Sequence, residues 1–94
     1  MAAFKDLSIT SGSDIDYTGG MKQADFKELA YHQFAVSGAG SAVITVDLGQ
    51  GHVSVATVAS GASGMYFYPG ALEFNVAASG GDVDVSCTSF GTIV

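Results

Sequence analysis

Three residue types in this chain can bind a metal or attack a substrate: the pair His32 and His52, the lone Cys87, and carboxylates grouped as Asp14-Ile-Asp16 and Asp82-Val-Asp84. A zinc site needs three or four ligands. The two histidines lie far apart, and neither has a His-x-x-x-His or Cys-x-x-Cys neighbour. Carboxylates at i, i+2 occur in calcium loops, but an EF-hand also needs Gly at position six and Glu at position twelve. From Asp14 the sixth position is Gly19 but the twelfth is Asp25, not Glu, and from Asp82 neither residue stands at its offset. Both pairs therefore read as solvated strand faces, where adjacent like charges also discourage stray edge pairing. Cys87 falls on the apolar side of its run with Val83 and Val85, the place of a small buried hydrophobe. A nucleophilic thiol needs a base or a lowered pKa, and the run offers neither. The many serines lack a Gly-x-Ser-x-Gly elbow, and the glycines lack the Gly-x-x-x-x-Gly-Lys-Ser/Thr phosphate loop. The expectation is a protein with no catalytic residue, no metal and no cofactor.

The aromatic segment Met65-Tyr-Phe-Tyr-Pro69 points to binding instead. Tyr66 and Tyr68 alternate with Met65 and Phe67, so both faces of the segment are bulky. One face can serve a core while the tyrosines meet a partner, since a tyrosine buries a ring and keeps a polar tip. Tyr66, Tyr68, Tyr31 and Phe90 are the candidate interface residues.

The elements that hold these residues follow from alternation. Ser41-Ala-Val-Ile-Thr-Val-Asp-Leu48, His52-Val-Ser-Val-Ala-Thr-Val58, Ala71-Leu-Glu-Phe-Asn-Val76 and Asp82-Val-Asp-Val-Ser-Cys-Thr88 alternate or nearly so, each bounded by Gly and Ser. Strand side chains point alternately to two faces, so such runs bury one face and wet the other. Ile44, Val46 and Leu48 are expected on one face, as are Leu72, Phe74 and Val76, and Val83, Val85 and Cys87. Gly49-Gln-Gly51 predicts a hairpin. Upstream, residues 4–9 read as a strand with Phe4, Leu7 and Ile9 as its apolar residues. Residues 14–18 read as a second, ended by Gly19-Gly20. Residues 29–36 read as a third, with His32, Phe34 and Val36 on one face. A turn or short helix fits residues 22–29, where Phe26 and Leu29 are spaced i, i+3. Pro69-Gly70 stops the aromatic strand, and residues 90–94 form a tail with no assigned element. The fold class is all-β: a single antiparallel β-sandwich over residues 1–94, jelly-roll-like or Ig-like, of seven or eight short strands.

Composition narrows the partners. The 94 residues are 48% hydrophobic and 13% charged, about half the usual charge content. So small a domain has much surface to cover with few charges, which predicts that other subunits cover part of it. The net charge is −6, with three lysines and no arginine. Phosphate contacts need Lys or Arg, so nucleic acid and anionic membrane are not expected partners. A single cysteine makes no internal disulfide. Residues 1–7 carry no apolar signal core, and no apolar run approaches the ~20 residues of a membrane helix.

From Phe34 onward the order of features resembles a known family. A strand ends in Val36-Ser-Gly38, then come Gly40-Ser-Ala-Val-Ile-Thr-Val46, a hairpin, and Val53-Ser-Val-Ala-Thr-Val58. Ser63-Gly-Met-Tyr-Phe67, Ala71-Leu-Glu-Phe-Asn-Val76 and Ser79-Gly-Gly-Asp-Val-Asp-Val-Ser86 follow. Over about two-thirds of its length the chain resembles small β-sandwich modules of tailed-phage virion proteins. Many of those carry a Trp in the hairpin region; this chain has none. The resemblance implies a non-enzymatic virion part, a capsid decoration, head fibre, or neck or tail accessory. Such a part is made in the host cytoplasm and assembles in several copies with itself and with a capsid or other virion protein. The alternative is a carbohydrate- or receptor-binding module of a tail or surface appendage, with Tyr66 and Tyr68 as stacking rings.

Overall fold

Eight strands and one short helix build the chain in a computed structural model that describes residues 2–19 and 22–92. In chain order they are β1 (Ala2–Ile9), β2 (Asp14–Asp16), α1 (Gln23–Phe26), β3 (Leu29–Gly38), β4 (Ser41–Asp47), β5 (His52–Ala59), β6 (Ser63–Phe67), β7 (Glu73–Ser79) and β8 (Val83–Thr92). The all-β class, the strand number and the short helix agree with the sequence. The tail is strand as far as Thr92; Ile93 and Val94 lie outside the described residues, as does Gly20 of the Gly-Gly turn.

The strands form two four-stranded sheets, ordered β1-β8-β3-β6 and β2-β7-β4-β5. Every neighbouring pair is antiparallel. This is the jelly-roll order of an eight-stranded double sheet, so of the two sandwiches left open by the sequence the jelly roll is the one found. Only β4 and β5 are joined as a local hairpin; the other connections step between sheets. At that hairpin Asp47 Oδ1 accepts from the Gly49 amide at 2.7 Å and the Gly51 amide at 3.2 Å. Both glycines have positive φ, 114° and 94°, which a side chain rarely tolerates.

The core lies between the sheets and takes alternate residues from β1, β3, β4, β7 and β8. Leu7 and Ile9, Phe34 and Val36, Ile44 and Val46, Phe74 and Val76, and Val83, Val85 and Cys87 are all buried. Phe4 departs from the expectation and is 61% exposed. Leu7 and Ile9 point inward, so a residue at an even position of the same strand must point out. Leu48 is also exposed, because β4 ends at Asp47. Leu72 precedes β7 and is only half-buried; Ala71 takes the fully buried place. Tyr17, just past β2, is fully buried against Phe26 and Phe34, with ring centroids at 5.7 and 5.9 Å.

Two turns at one end of the sandwich lie backbone on backbone. The Ala39 amide donates to the Asp82 carbonyl at 2.9 Å. A Cβ on Gly40 would run into the carbonyls of Gly81 and Ser79. Backbone cannot yield as a flexible side chain does. Gly40→Ala should therefore cost about 1–3 kcal/mol, as overpacking does, read as a lower urea midpoint at unchanged slope. The same substitution at Gly12, where an added Cβ meets nothing within 4 Å, is the contrast for steric cost; its positive φ of 83° leaves only backbone strain there.

Candidate functional site

The outer face of the β1-β8-β3-β6 sheet is divided into two halves. Its register sets Ala2, Phe90, Tyr31 and Phe67 in one row across the four strands, and Phe4, Thr88, Gln33 and Met65 in the next. Phe4, Tyr31, Met65 and Phe67 are 61%, 40%, 58% and 59% exposed. They are four of the six large hydrophobics that stand exposed among the described residues. Tyr31 sits at the centre, stacked on Phe90 with centroids 5.6 Å apart and rings tilted by 21°. Phe67 flanks it on the other side at 5.2 Å. The rows below carry Asp6, Ser86, Ala35 and Ser63, then Ser8, Asp84 and Ser37. These short side chains leave a shallow trough of about 430 Å3. Ser8 donates from Oγ to Asp84 Oδ1 across its floor at 2.8 Å.

The outer face of the other sheet is different. It presents Asp14 and Asp16 on β2, Glu73 and Asn75 on β7, Thr45 and Asp47 on β4, and His52 and Ser54 on β5. Its side chains bond among themselves: His52 Nε2 to Glu73 Oε1 at 2.9 Å, and Asn75 Nδ2 to Asp14 Oδ2 at 3.4 Å. One face of the sandwich is polar and self-satisfied. The other displays aromatic rings on a sheet with no described residue packed over them, the kind of contiguous apolar surface that marks an interaction site.

Of the four expected interface residues, Tyr31 and Phe90 belong to this aromatic face. Tyr66 and Tyr68 do not. The pairing of β6 with β3 places Tyr66 opposite inward-facing His32 and Met65 opposite outward-facing Gln33. The two tyrosines are half-buried and pack on the core, Tyr66 at 6.3 Å from Phe34 and Tyr68 at 6.3 Å from Phe74. The expected facing is thus reversed: Met65 and Phe67 meet solvent. A glycan platform built on Tyr66 and Tyr68 loses its open rings. Phe4, Met65 and Phe67 are the residues that sequence reasoning missed, although the parity of β1 already separates Phe4 from Leu7 and Ile9.

The groups singled out for chemistry are dispersed and committed to structure. His32 is fully buried. Its Nε2–H donates to the Tyr68 carbonyl at 3.2 Å, and its Nδ1 accepts from the Ser89 hydroxyl at 2.7 Å. Burial lowers its pKa from 6.5 to about 4, with the Tyr68 carbonyl offsetting part of the shift. Cys87 is buried on the same side of the same sheet, and desolvation pushes its thiol up to about 12. That is the reverse of an activated nucleophile. His52 lies on the opposite face of the molecule. Asp16 Oδ1 accepts from the Thr18 amide and hydroxyl at 2.7 and 2.6 Å, and Asp82 Oδ1 accepts from the Ser11 amide at 2.8 Å. Among the described residues no three His, Cys, Asp or Glu side chains come close enough to hold a metal ion.

The buried imidazole makes stability depend on pH. The unfolded chain takes up a proton near pH 6.5, the folded chain only near pH 4. The unfolded state therefore binds more protons between these values, and stability falls as pH drops through that window. The loss at pH 4 should be about 3 kcal/mol relative to pH 7. Urea unfolding of the wild type and of His32→Gln at both pH values measures it: the variant should be less stable at pH 7 and should lose most of the slope.

No protein-family model and no curated protein sequence matches the chain. Solved structures share its fold. A structure of Bacillus endospore appendages, described as a novel family of disulfide-linked pili, matches with a TM-score of 0.58 at 13% identity, over 95% of this chain and 83% of that one. RmlC from Streptococcus suis, solved with dTDP-D-xylose, matches with a TM-score of 0.56 at 11% identity, over 99% of this chain. The chain spans 45% of the length of RmlC. At these identities the likeness is one of fold.

Proposed function

We propose that this chain is a non-enzymatic structural subunit of a virion, of the capsid-decoration or head or neck accessory kind, and that it docks through the aromatic outer face of the β1-β8-β3-β6 sheet. The observation that carries the proposal is the row Phe90, Tyr31 and Phe67, with Phe4 and Met65 beside it, held open on one side of a rigid sheet. Exposing these rings to water costs free energy that a partner recovers: full burial of an aromatic side chain removes on the order of 150–250 Å2 from water, and Phe4, Tyr31 and Phe67 still expose 61%, 40% and 59% of their surface. The polar opposite face suits the side that remains in solvent. The order of strand and turn motifs from Phe34 onward supports the virion setting. The jelly-roll architecture agrees with it, since capsid proteins are among the users of that fold; so are lectins and cupins, and fold alone decides nothing.

The endospore appendages are described as disulfide-linked. The one cysteine of this chain is fully buried, so its docking rests on surface complementarity rather than on a sulfur bridge. The test is co-sedimentation with virions assembled in host cells. Wild-type chain should band with the particles at a fixed copy number, and Phe4→Ser/Phe67→Ser should stay at the top of the gradient with its melting temperature preserved. Wild-type chain found only at the top would refute the proposal.

A further inference from the structure

The four open edges of the two sheets are not equally protected. β1 carries Lys5 and Asp6, and Tyr17 donates its hydroxyl to the Ala3 carbonyl while Lys5 Nζ reaches the Gly19 carbonyl. β2 is three residues long. β6 is five residues long and is followed by Pro69. Charges, short length, proline and bulges are the usual defences of a strand edge. β5 has only the last, a single bulge opposite Ile44 and Thr45; His52-Val-Ser-Val-Ala-Thr-Val-Ala59 is eight residues without Lys, Asp, Glu or Pro. Among the described residues, no backbone hydrogen bond beyond the β4 ladder engages residues 52–58. Val53 pairs with buried Val46 and points to the core side, yet it is 62% exposed because β5 is the last strand of its sheet. Val53, Val46 and Leu48 line an open notch of about 310 Å3 there.

We infer that β5 is the edge through which two copies of this chain pair, antiparallel about a two-fold axis, joining their β2-β7-β4-β5 sheets into one. The pattern of β5, complementary to itself, selects a second copy as the occupant, and the charge distribution permits it. Two chains of net charge −6 repel wherever their carboxylates meet, and β5 is the one long edge that brings none together. The side-chain pattern selects the register. β5 bulges opposite Ile44 and Thr45, so that His52, Ser54, Thr57 and Ala59 all lie opposite outward-facing residues of β4. A two-fold pairing centred on the bulge sets Val53 of one copy opposite Val58 of the other, and Ser54 opposite Thr57. Inner residues meet inner residues and outer meet outer, which a shift by one residue destroys. An isologous contact of this kind closes on itself as a dimer.

This inference is independent of what the aromatic face docks against, and the two are tested by different variants. Sedimentation equilibrium over a concentration series should show a dimer for the wild type. Ser54→Lys/Thr57→Lys places Lys opposite Lys across the axis and should raise the dissociation constant at least about tenfold, with circular dichroism and melting of the monomer unchanged. Ser54→Lys/Thr57→Glu places Lys opposite Glu and should restore the dimer. Phe4→Ser/Phe67→Ser should leave it intact. A wild type that stays monomeric, a double-lysine variant as dimeric as the wild type, or a Lys/Glu variant that dissociates like the double lysine would each overturn the inference.

Discussion

Val85→Asp should leave the chain largely unfolded at neutral pH. Val85 sits in the middle of β8, paired with Leu7 on one side and Val36 on the other, and all three are at most 4% exposed. A carboxylate placed there has no cation within the core to meet it, since all three lysines lie outside it. Burying an unpaired charge belongs to the short list of substitutions that cost about 4–5 kcal/mol or more, comparable to the whole stability of a domain this size, about 5–15 kcal/mol. The group relieves part of that cost by taking up a proton, so the variant should regain stability relative to the wild type as pH falls toward 5, a window in which His32 destabilises both chains. Its neighbour supplies the control. Asp84 is exposed and accepts the Ser8 hydroxyl, and Asp84→Asn keeps an acceptor there. It should shift stability by no more than about 0.5 kcal/mol. Thermal melts of both variants at pH 7 and pH 5 decide the matter. Equal melting temperatures would mean that the facing of β8 is wrong.

Phe74→Ala should cost about 3–5 kcal/mol, the usual loss for a fully buried aromatic. Phe74 projects from β7 into the layer between the sheets, fully buried. Its ring lies 4.5 Å from His32, 5.5 Å from Phe34, 6.1 Å from Phe26 and 6.3 Å from Tyr68. It therefore ties β3, the α1 segment and the stretch after β6 to the second sheet. Removal opens a cavity between two pleated layers whose strands are fixed by ladders, so the walls have little freedom to close it. Phe74→Leu, which keeps most of the volume, should lose markedly less. Denaturant midpoints at constant slope would report both. A loss near that of a surface substitution would contradict the packing.

The sequence exposes those parts of this fold that are local. β4, β7 and β8 alternate cleanly because one side of each is buried, and Val83, Val85 and Cys87 face inward as their spacing requires. The β4–β5 hairpin was legible because Gly49 and Gly51 supply the positive φ that a short connection needs. Partner choice was not legible. β1 pairs with β8, and β2 with β7, across nearly the whole chain, and alternation says that a strand has two faces without saying who lies beside it. The same gap reversed the aromatic strand. Met65, Tyr66, Phe67 and Tyr68 are bulky at every position, so periodicity cannot tell which pair is inside; the register with β3 decides it, by setting Tyr66 against His32. Two of the five residues of the candidate site, Tyr31 and Phe90, are among those singled out from the sequence. Phe4, Met65 and Phe67 join it only once β1 and β6 are placed at the two flanks of β8 and β3. Tyr17 escaped for a different reason: it lies beyond a three-residue strand, too short for any pattern.

The aromatic face and the β5 edge divide the exposed apolar groups between them. Phe4, Tyr31, Met65 and Phe67 stand on the one; Val53, with Leu48 nearby, stands on the other. The proposed pairing edge and docking face together would let dimers be added to a surface built by another protein, as a decorating or connecting part requires.

Hydroxyl-radical footprinting of the chain within purified virions, set against the free chain, tests the docking face most directly. Met65, Phe67, Phe4 and Tyr31 should be oxidised readily in the free chain and protected in the particle, while the polar face around His52 and Thr45 reacts equally in both. Unchanged oxidation of Met65 and Phe67 on particles that contain the chain, or protection confined to the polar face, would contradict a docking role for these rings.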